Sequence, residues 1–142
     1  MSEQQQQALG DITQAIMSLL DSWQLDSREI QGVLSLPANV RARALNKYRE
    51  GTDALPEDPV VLRRARYLLR IADALRTTYP LNPRMAGRWV RQGHRRFGRR
   101  SPLQIILNDG ESGLIAVLSE LDCTFSWDLT GSTTSGYTPV QR

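Results

Sequence analysis

Apolar residues recur every three or four positions along most of the chain, which is the period of amphipathic α-helices. Residues 8–23 and 60–78 show it most clearly, since each carries one continuous apolar stripe. Strand-type alternation is nearly absent. The pattern predicts an all-α protein, preceded by a polar, frayed lead at residues 1–7.

Local start and stop signals divide the rest of the sequence into further helices. Asp26 or Ser27 can cap a short second helix. Pro37 fits the first turn of a third helix, and Gly51 fits its end. Asn82 then begins another helix, with a proline directly after it. The longer predicted helices span residues 8–23, 38–50, 60–78 and 111–121, with shorter ones starting near residues 27, 83 and 102.

These elements predict three regions. Residues 8–58 form an Xre-like helix-turn-helix bundle, and residues 59–123 form a small helical domain for a partner or for dimerisation. Residues 124–142 are rich in Ser, Thr and Gly, which predicts a flexible tail or a weak hairpin. Its aromatics, Trp127 and Tyr137, could anchor the tail on a partner, or the tail could stay disordered.

A short helix, a three-residue turn and a second helix make the helix-turn-helix layout. At about 100° per residue, one side of helix 38–50 carries Asn39, Arg43 and Asn46. Asn pairs with adenine and Arg with guanine in the major groove, so this face could read bases. The alternative is an ordinary amphipathic helix with a polar outer face. The candidate DNA-binding residues are Asn39, Arg41, Arg43, Asn46 and Lys47.

Charge is distributed unevenly although the net charge is only +3. No acidic residue lies between Asp73 and Asp109, a stretch that contains eight arginines. Four of them are spaced i, i+4, i+7 and i+11 and would form one ridge on a helix. Such a ridge needs phosphates or the carboxylates of a partner protein, and the sequence leaves both possibilities open. The ridge residues are Arg84, Arg88, Arg91 and Arg95.

The inventory of reactive side chains argues against an enzyme. With one cysteine, Cys123, and one histidine, His94, no intramolecular disulfide is possible and no zinc site is expected. Cys123 is expected to be a small core residue. Neither a Gly-rich phosphate loop nor paired carboxylates are present, so no cofactor is expected. No apolar run approaches the ~20 residues of a membrane span, and no signal peptide is visible. A cytoplasmic protein without membrane association is therefore predicted.

The second half also contains a series of short motifs in a defined order. An arginine-rich helix at 62–75 is followed by Trp89-Val90, Phe97-Gly98, Ser101-Pro102-Leu103, Gly110 and a helix with Val117-Leu118. With this order and spacing, residues 59–121 resemble the toxin-binding region of the Xre/MbcA/ParS antitoxin family. Residues 8–58 fit the helix-turn-helix that precedes this region in the family.

The resemblance implies an antitoxin of a type II toxin–antitoxin system. Such a protein neutralises a cognate toxin, commonly an NAD-consuming RES-type toxin, and represses its own operon by binding operator DNA as a homodimer. Gln92-Gly93-His94 departs from the Pro-Asn pair usual in the family. The alternative is a solitary helix-turn-helix regulator without a toxin. The residues that the resemblance assigns to toxin binding are Trp89, Arg95, Phe97, Arg99, Arg100, Leu103 and Leu114.

Overall fold

The computed structural model describes residues 2–122, and this part of the chain is all-α without strands, as predicted. The described residues divide into two compact units, 2–69 and 70–122, at a point within helix α4. Predictions for Cys123 and for the tail at 124–142 lie outside the described residues. The helices are α1 (Glu3–Ser22), α2 (Ser27–Leu34), α3 (Ala42–Glu50), α4 (Pro59–Thr78), α5 (Pro83–Arg91), α6 (Pro102–Asp109) and α7 (Glu111–Leu121), with a 3-10 turn at Arg95–Phe97.

Most helix ends lie where the capping signals predicted them. The Asp26 carboxylate accepts from the Glu29 N–H at 2.8 Å, and the Glu29 carboxylate accepts from the Asp26 N–H at 3.0 Å. Gly51 ends α3 with a φ of 80°, a left-handed conformation that glycine adopts without strain. Asn82 caps α5 through the Arg84 N–H, with proline as the first helical residue.

The start of α1 differs from the prediction. The helix begins at Glu3, so residues 3–7 are helical and the expected frayed lead was wrong. The Ser2 hydroxyl accepts from the Gln5 N–H, and the Gln5 side chain accepts from the Ser2 N–H. This reciprocal capping box satisfies two backbone donors that would otherwise face water, and it extends the helix through a polar segment.

The start of α3 is the larger correction. The helix begins at Ala42 and not at residue 38, and Pro37 precedes it in a separate turn. Within the first unit, the Gln31 amide donates to the Pro37 carbonyl at 2.8 Å and to the Val40 carbonyl at 3.1 Å. These bonds hold residues 37–40 outside the helix. The link between α2 and α3 therefore spans residues 35–41, longer than the predicted three-residue turn.

The core of the first unit forms where α1 packs on α3. Ile16, Leu20, Leu45 and Tyr48 are buried between these helices and their neighbours. The buried Thr13 hydroxyl donates to a carbonyl within α1 and accepts from the Leu55 N–H at 3.0 Å. This hydrogen bond fixes the connector before α4 against the core.

In the second unit, α6 packs on both α5 and α7. Ile105, Ile106, Leu114 and Val117 are buried there. A side chain at Gly113 in α7 would overlap the Ile105 carbonyl oxygen in α6. Glycine at this position therefore allows α6 and α7 to approach closely.

Candidate functional site

The outer face of α3 is exposed and basic. Arg43, Asn46 and Lys47 lie on it, and Arg41 is the N-cap residue. Within residues 2–122, Arg41, Arg43 and Lys47 form no ion pair. The structure therefore places three of the five predicted residues, Arg43, Asn46 and Lys47, on one exposed helix face, with Arg41 at the start of that helix.

Asn39 does not join this face. It lies in the turn before α3 and is exposed, so the helical spacing that linked it to Arg43 and Asn46 does not apply. The α3 N-terminus also lacks a side-chain cap, whereas Asp26 caps α2. Uncapped N–H groups beside arginines favour an anion such as a phosphate.

Asn46 takes part in a network with the neighbouring helix α1. Arg49 donates two hydrogen bonds to the Asp21 carboxylate, at 2.8 and 2.9 Å, and a third to the Asn46 side-chain oxygen at 2.8 Å. The hydrogen bonding of Arg49 to the Asp21 carboxylate raises the pKa of Arg49, against a smaller opposing effect of burial. Arg49 is thus held as an intramolecular partner, and the Asn46 amide has one of its acceptor sites occupied.

The arginines of the second unit do not form one four-residue ridge. α5 ends at Arg91, because Gln92 adopts an extended conformation with φ −89° and ψ 138°. Arg84, Arg88 and Arg91 share one face of α5 and are exposed, whereas Arg95 lies in the 3-10 turn. The prediction that Arg95 continues this helix was wrong.

The segment after α5 folds back on the helix. The His94 ring nitrogen Nε2 lies 3.0 Å from the Trp89 carbonyl oxygen, and the two rings are 5.1 Å apart. The Phe97 ring meets His94 edge-on at 6.3 Å. A side chain at Gly93 would overlap the Arg99 carbonyl oxygen, so glycine permits this close turn.

Arg100 has an intramolecular partner. Its guanidinium donates to both carboxylate oxygens of Asp109, at 3.2 and 3.0 Å. The Asp109 side chain is 0% exposed and that of Arg100 is 25% exposed. The pair joins the start of α6 to its end, which gives Arg100 a role in the fold.

The residues predicted to bind a toxin differ in their exposure to solvent. Arg95 and Arg99 are exposed, and Trp89 and Leu103 are half-buried. Phe97 and Leu114 are core residues, so their side chains cannot touch a partner in this conformation. Their position suits a role in supporting the surface formed by their neighbours.

The sequence analysis gave no binding role to two exposed apolar residues, Leu81 in the turn before α5 and Met85 in its first turn. Leu81 is 96% exposed and Met85 is 41% exposed. A signal was available for Leu81, because it directly precedes the Asn82-Pro83 helix start and lies outside any apolar stripe.

Comparison with known protein families gives a match in the second half of the chain. Residues 74–124 match the antitoxin Xre/MbcA/ParS C-terminal toxin-binding domain. The match confirms the resemblance predicted from the motif order and supports an antitoxin role. It begins near the end of α4 and covers α5, α6 and α7. No curated protein matches the chain.

Within residues 2–122, no helix is both long enough and apolar enough to cross a bilayer. Over the same range, no three His, Cys, Asp or Glu side chains come together as a potential metal site.

Proposed function

We propose that this chain is an antitoxin that binds and neutralises a cognate toxin through its second unit and represses its own operon through α3. The match of residues 74–124 to a toxin-binding domain carries the first part. The family resemblance also supports a RES-type, NAD-consuming toxin, a homodimeric repressor and a cytoplasmic location.

The exposed basic face of α3 supports the second part. Arg43 and Lys47 are neighbours on one helix face and have no carboxylate partner within residues 2–122. The uncapped N-terminus of α3 adds donors suited to a phosphate. We assign Arg43 and Asn46 to base contacts and Arg41 and Lys47 to phosphate contacts.

Co-expression with the adjacent gene tests the antitoxin role. We expect the neighbouring gene product alone to stop growth and lower cellular NAD, and its co-expression with this chain to restore both. The two proteins should also copurify as a stable complex. A neighbour that is harmless alone and forms no complex with this chain would contradict the antitoxin role.

Selection from a randomised DNA duplex library tests the operator-binding role. We expect Arg43→Ala and Asn46→Ala to change the selected sequence, each costing about 1–3 kcal/mol at its base position. Lys47→Ala should weaken all sequences alike and lower the salt slope by about 0.9. Arg28→Ala, at an exposed site on α2, is the control. Unchanged preference in both base-contact variants would remove the DNA-reading role of α3.

The exposed α3 face also favours a second candidate function, a solitary transcriptional regulator. Sequence-specific DNA binding by a chain that forms no complex with its neighbour would favour this function over the antitoxin.

A further inference from the structure

Leu81 and Met85 are the two large apolar side chains that the structure leaves exposed within residues 2–122. Leu81 lies in the turn before α5, and Met85 lies in the first turn of that helix. Single exposed apolar residues are ordinary on protein surfaces. Here, however, the two are only four positions apart, at one end of one short helix. Val90 is the only residue of α5 that is fully buried.

Arginines flank these apolar residues. Arg84 and Arg88 are four positions apart on α5, and Met85 is three positions from Arg88, so their side chains are neighbours on the helix surface. Both arginines are exposed, and neither forms an ion pair within residues 2–122. A shallow depression lined partly by Arg88 continues towards the end of the helix.

We propose that Leu81, Arg84, Met85 and Arg88, here called the α5 patch, dock a protein partner with an apolar depression bordered by carboxylates. The inference rests on the proposed function, since this partner is the toxin. It moves the docking surface from the residues that the family resemblance assigns, which lie between Trp89 and Leu114, to the beginning of α5. The patch lies inside the matched toxin-binding segment at 74–124.

The chemistry of the α5 patch favours a protein over nucleic acid. Phosphates would pair with the arginines but would leave Leu81 and Met85 beside charged oxygens, with no apolar surface to bury them. Met and Arg are both enriched at protein interfaces, where carboxylates pair with guanidinium groups around an apolar centre.

Charge also argues against a second copy of this chain. In a two-fold symmetric dimer, the same patch of each subunit would meet its equivalent. Arg84 and Arg88 of one copy would then approach the same arginines of the other, and no acidic residue lies between Asp73 and Asp109 to neutralise them locally. A partner of opposite charge avoids this repulsion.

The test measures the affinity of the full chain for the purified product of the adjacent gene. We expect Leu81→Ala and Met85→Ala each to weaken binding about tenfold, the size typical of an interface anchor. Arg84→Glu and Arg88→Glu should weaken binding at least as much at low salt and flatten its salt dependence. Arg28→Glu makes the same charge change on α2 and should leave the affinity unchanged. Circular dichroism of each variant checks that it folds.

The outcomes separate this inference from the proposed function. If the unmodified chain binds the toxin and all four variants bind equally tightly, the inference is wrong and the proposed function stands. If the unmodified chain does not bind, both fail. Loss of binding to a randomised DNA duplex in the arginine variants, with toxin affinity unchanged, would overturn the inference in favour of nucleic acid. Reduced self-association of Leu81→Ala in sedimentation, again with toxin affinity unchanged, would overturn it in favour of a second copy.

Discussion

Each unit contains an arginine that donates two hydrogen bonds to the carboxylate of an aspartate. The two ion pairs differ in how deeply their side chains are buried. In the first unit, Arg49 and Asp21 have side chains that are 32% and 41% exposed. In the second, Arg100 is 25% exposed and Asp109 is 0% exposed. Water solvates the charges of the Arg49–Asp21 pair, whereas the buried charge of Asp109 is compensated by hydrogen-bond partners in the protein. The first pair can therefore be exchanged for contacts with a ligand at low cost, and the second belongs to the fold.

The outer surfaces of the two units differ as well. Within residues 2–69, the side chains of the large apolar residues are buried or half-buried, and α3 presents charged and amide groups. The second unit exposes Leu81 and Met85 beside arginines. Polar donors on a helix suit base edges and phosphates, whereas mixed apolar and cationic groups suit a protein surface. The proposed division between a DNA-binding unit and a toxin-binding unit follows this difference.

The largest expected effect comes from removing a core side chain of the second unit. Phe97→Ala deletes a fully buried ring and should lower the free energy of unfolding by about 3–5 kcal/mol, measured by urea denaturation. We expect the change to impair toxin binding more than DNA binding. Ile16→Ala is the corresponding change in the first unit and should lower the free energy of unfolding by about 2–5 kcal/mol. We expect it to impair DNA binding more than toxin binding. Equal impairment of both activities by both variants would break the comparison. The exposed control, Leu81→Ala, should leave the unfolding midpoint unchanged.

An intermediate effect is expected at the buried ion pair. Arg100→Ala leaves the Asp109 carboxylate buried without this partner and should cost about 1.5–3 kcal/mol of unfolding free energy. The neighbouring Arg99→Ala is the matched control, because Arg99 is exposed and should change stability by no more than about 0.5 kcal/mol. If Arg100→Ala reduced toxin affinity without changing stability, Arg100 would be a contact residue, as the family resemblance implied.

The sequence predicted those parts of the fold that depend on neighbouring residues. The α7 bounds and the caps at Asp26 and Asn82 follow from signals within three or four positions, and the structure confirms them. The start of α3 could not be found in this way. Pro37 suits the first turn of a helix, yet bonds from the Gln31 side chain hold the following residues in a different turn. The local preference was overridden by contacts six and nine positions apart, which lie beyond the range of a capping signal.

The candidate sites show the same limit. The helical period predicted an exposed face with Arg43, Asn46 and Lys47, and the structure confirms that these three side chains are exposed. Motif order found the toxin-binding segment but could not distinguish the buried Phe97 from the exposed Leu81, because apolar residues serve both as core and as interface. Ion pairs between distant positions, such as that of Arg49 with Asp21, leave no spacing signal in a single sequence.

The smallest expected effect concerns that exposed pair in the first unit. Asp21→Asn removes the charge that holds Arg49 and should cost about 0.2–1 kcal/mol of unfolding free energy, measured by urea denaturation. Arg49 is then available beside Lys47 on α3, the helix proposed to bind DNA. We therefore expect the affinity for a randomised DNA duplex to rise and its salt slope to steepen by up to about 0.9, since one more phosphate contact releases one more counterion. Asp11→Asn makes the same charge change on an exposed position of α1 and should leave the salt slope unchanged. A fall in DNA affinity would show instead that Asp21, through Arg49, orients the Asn46 amide for its base, and the pair would then belong to the binding surface.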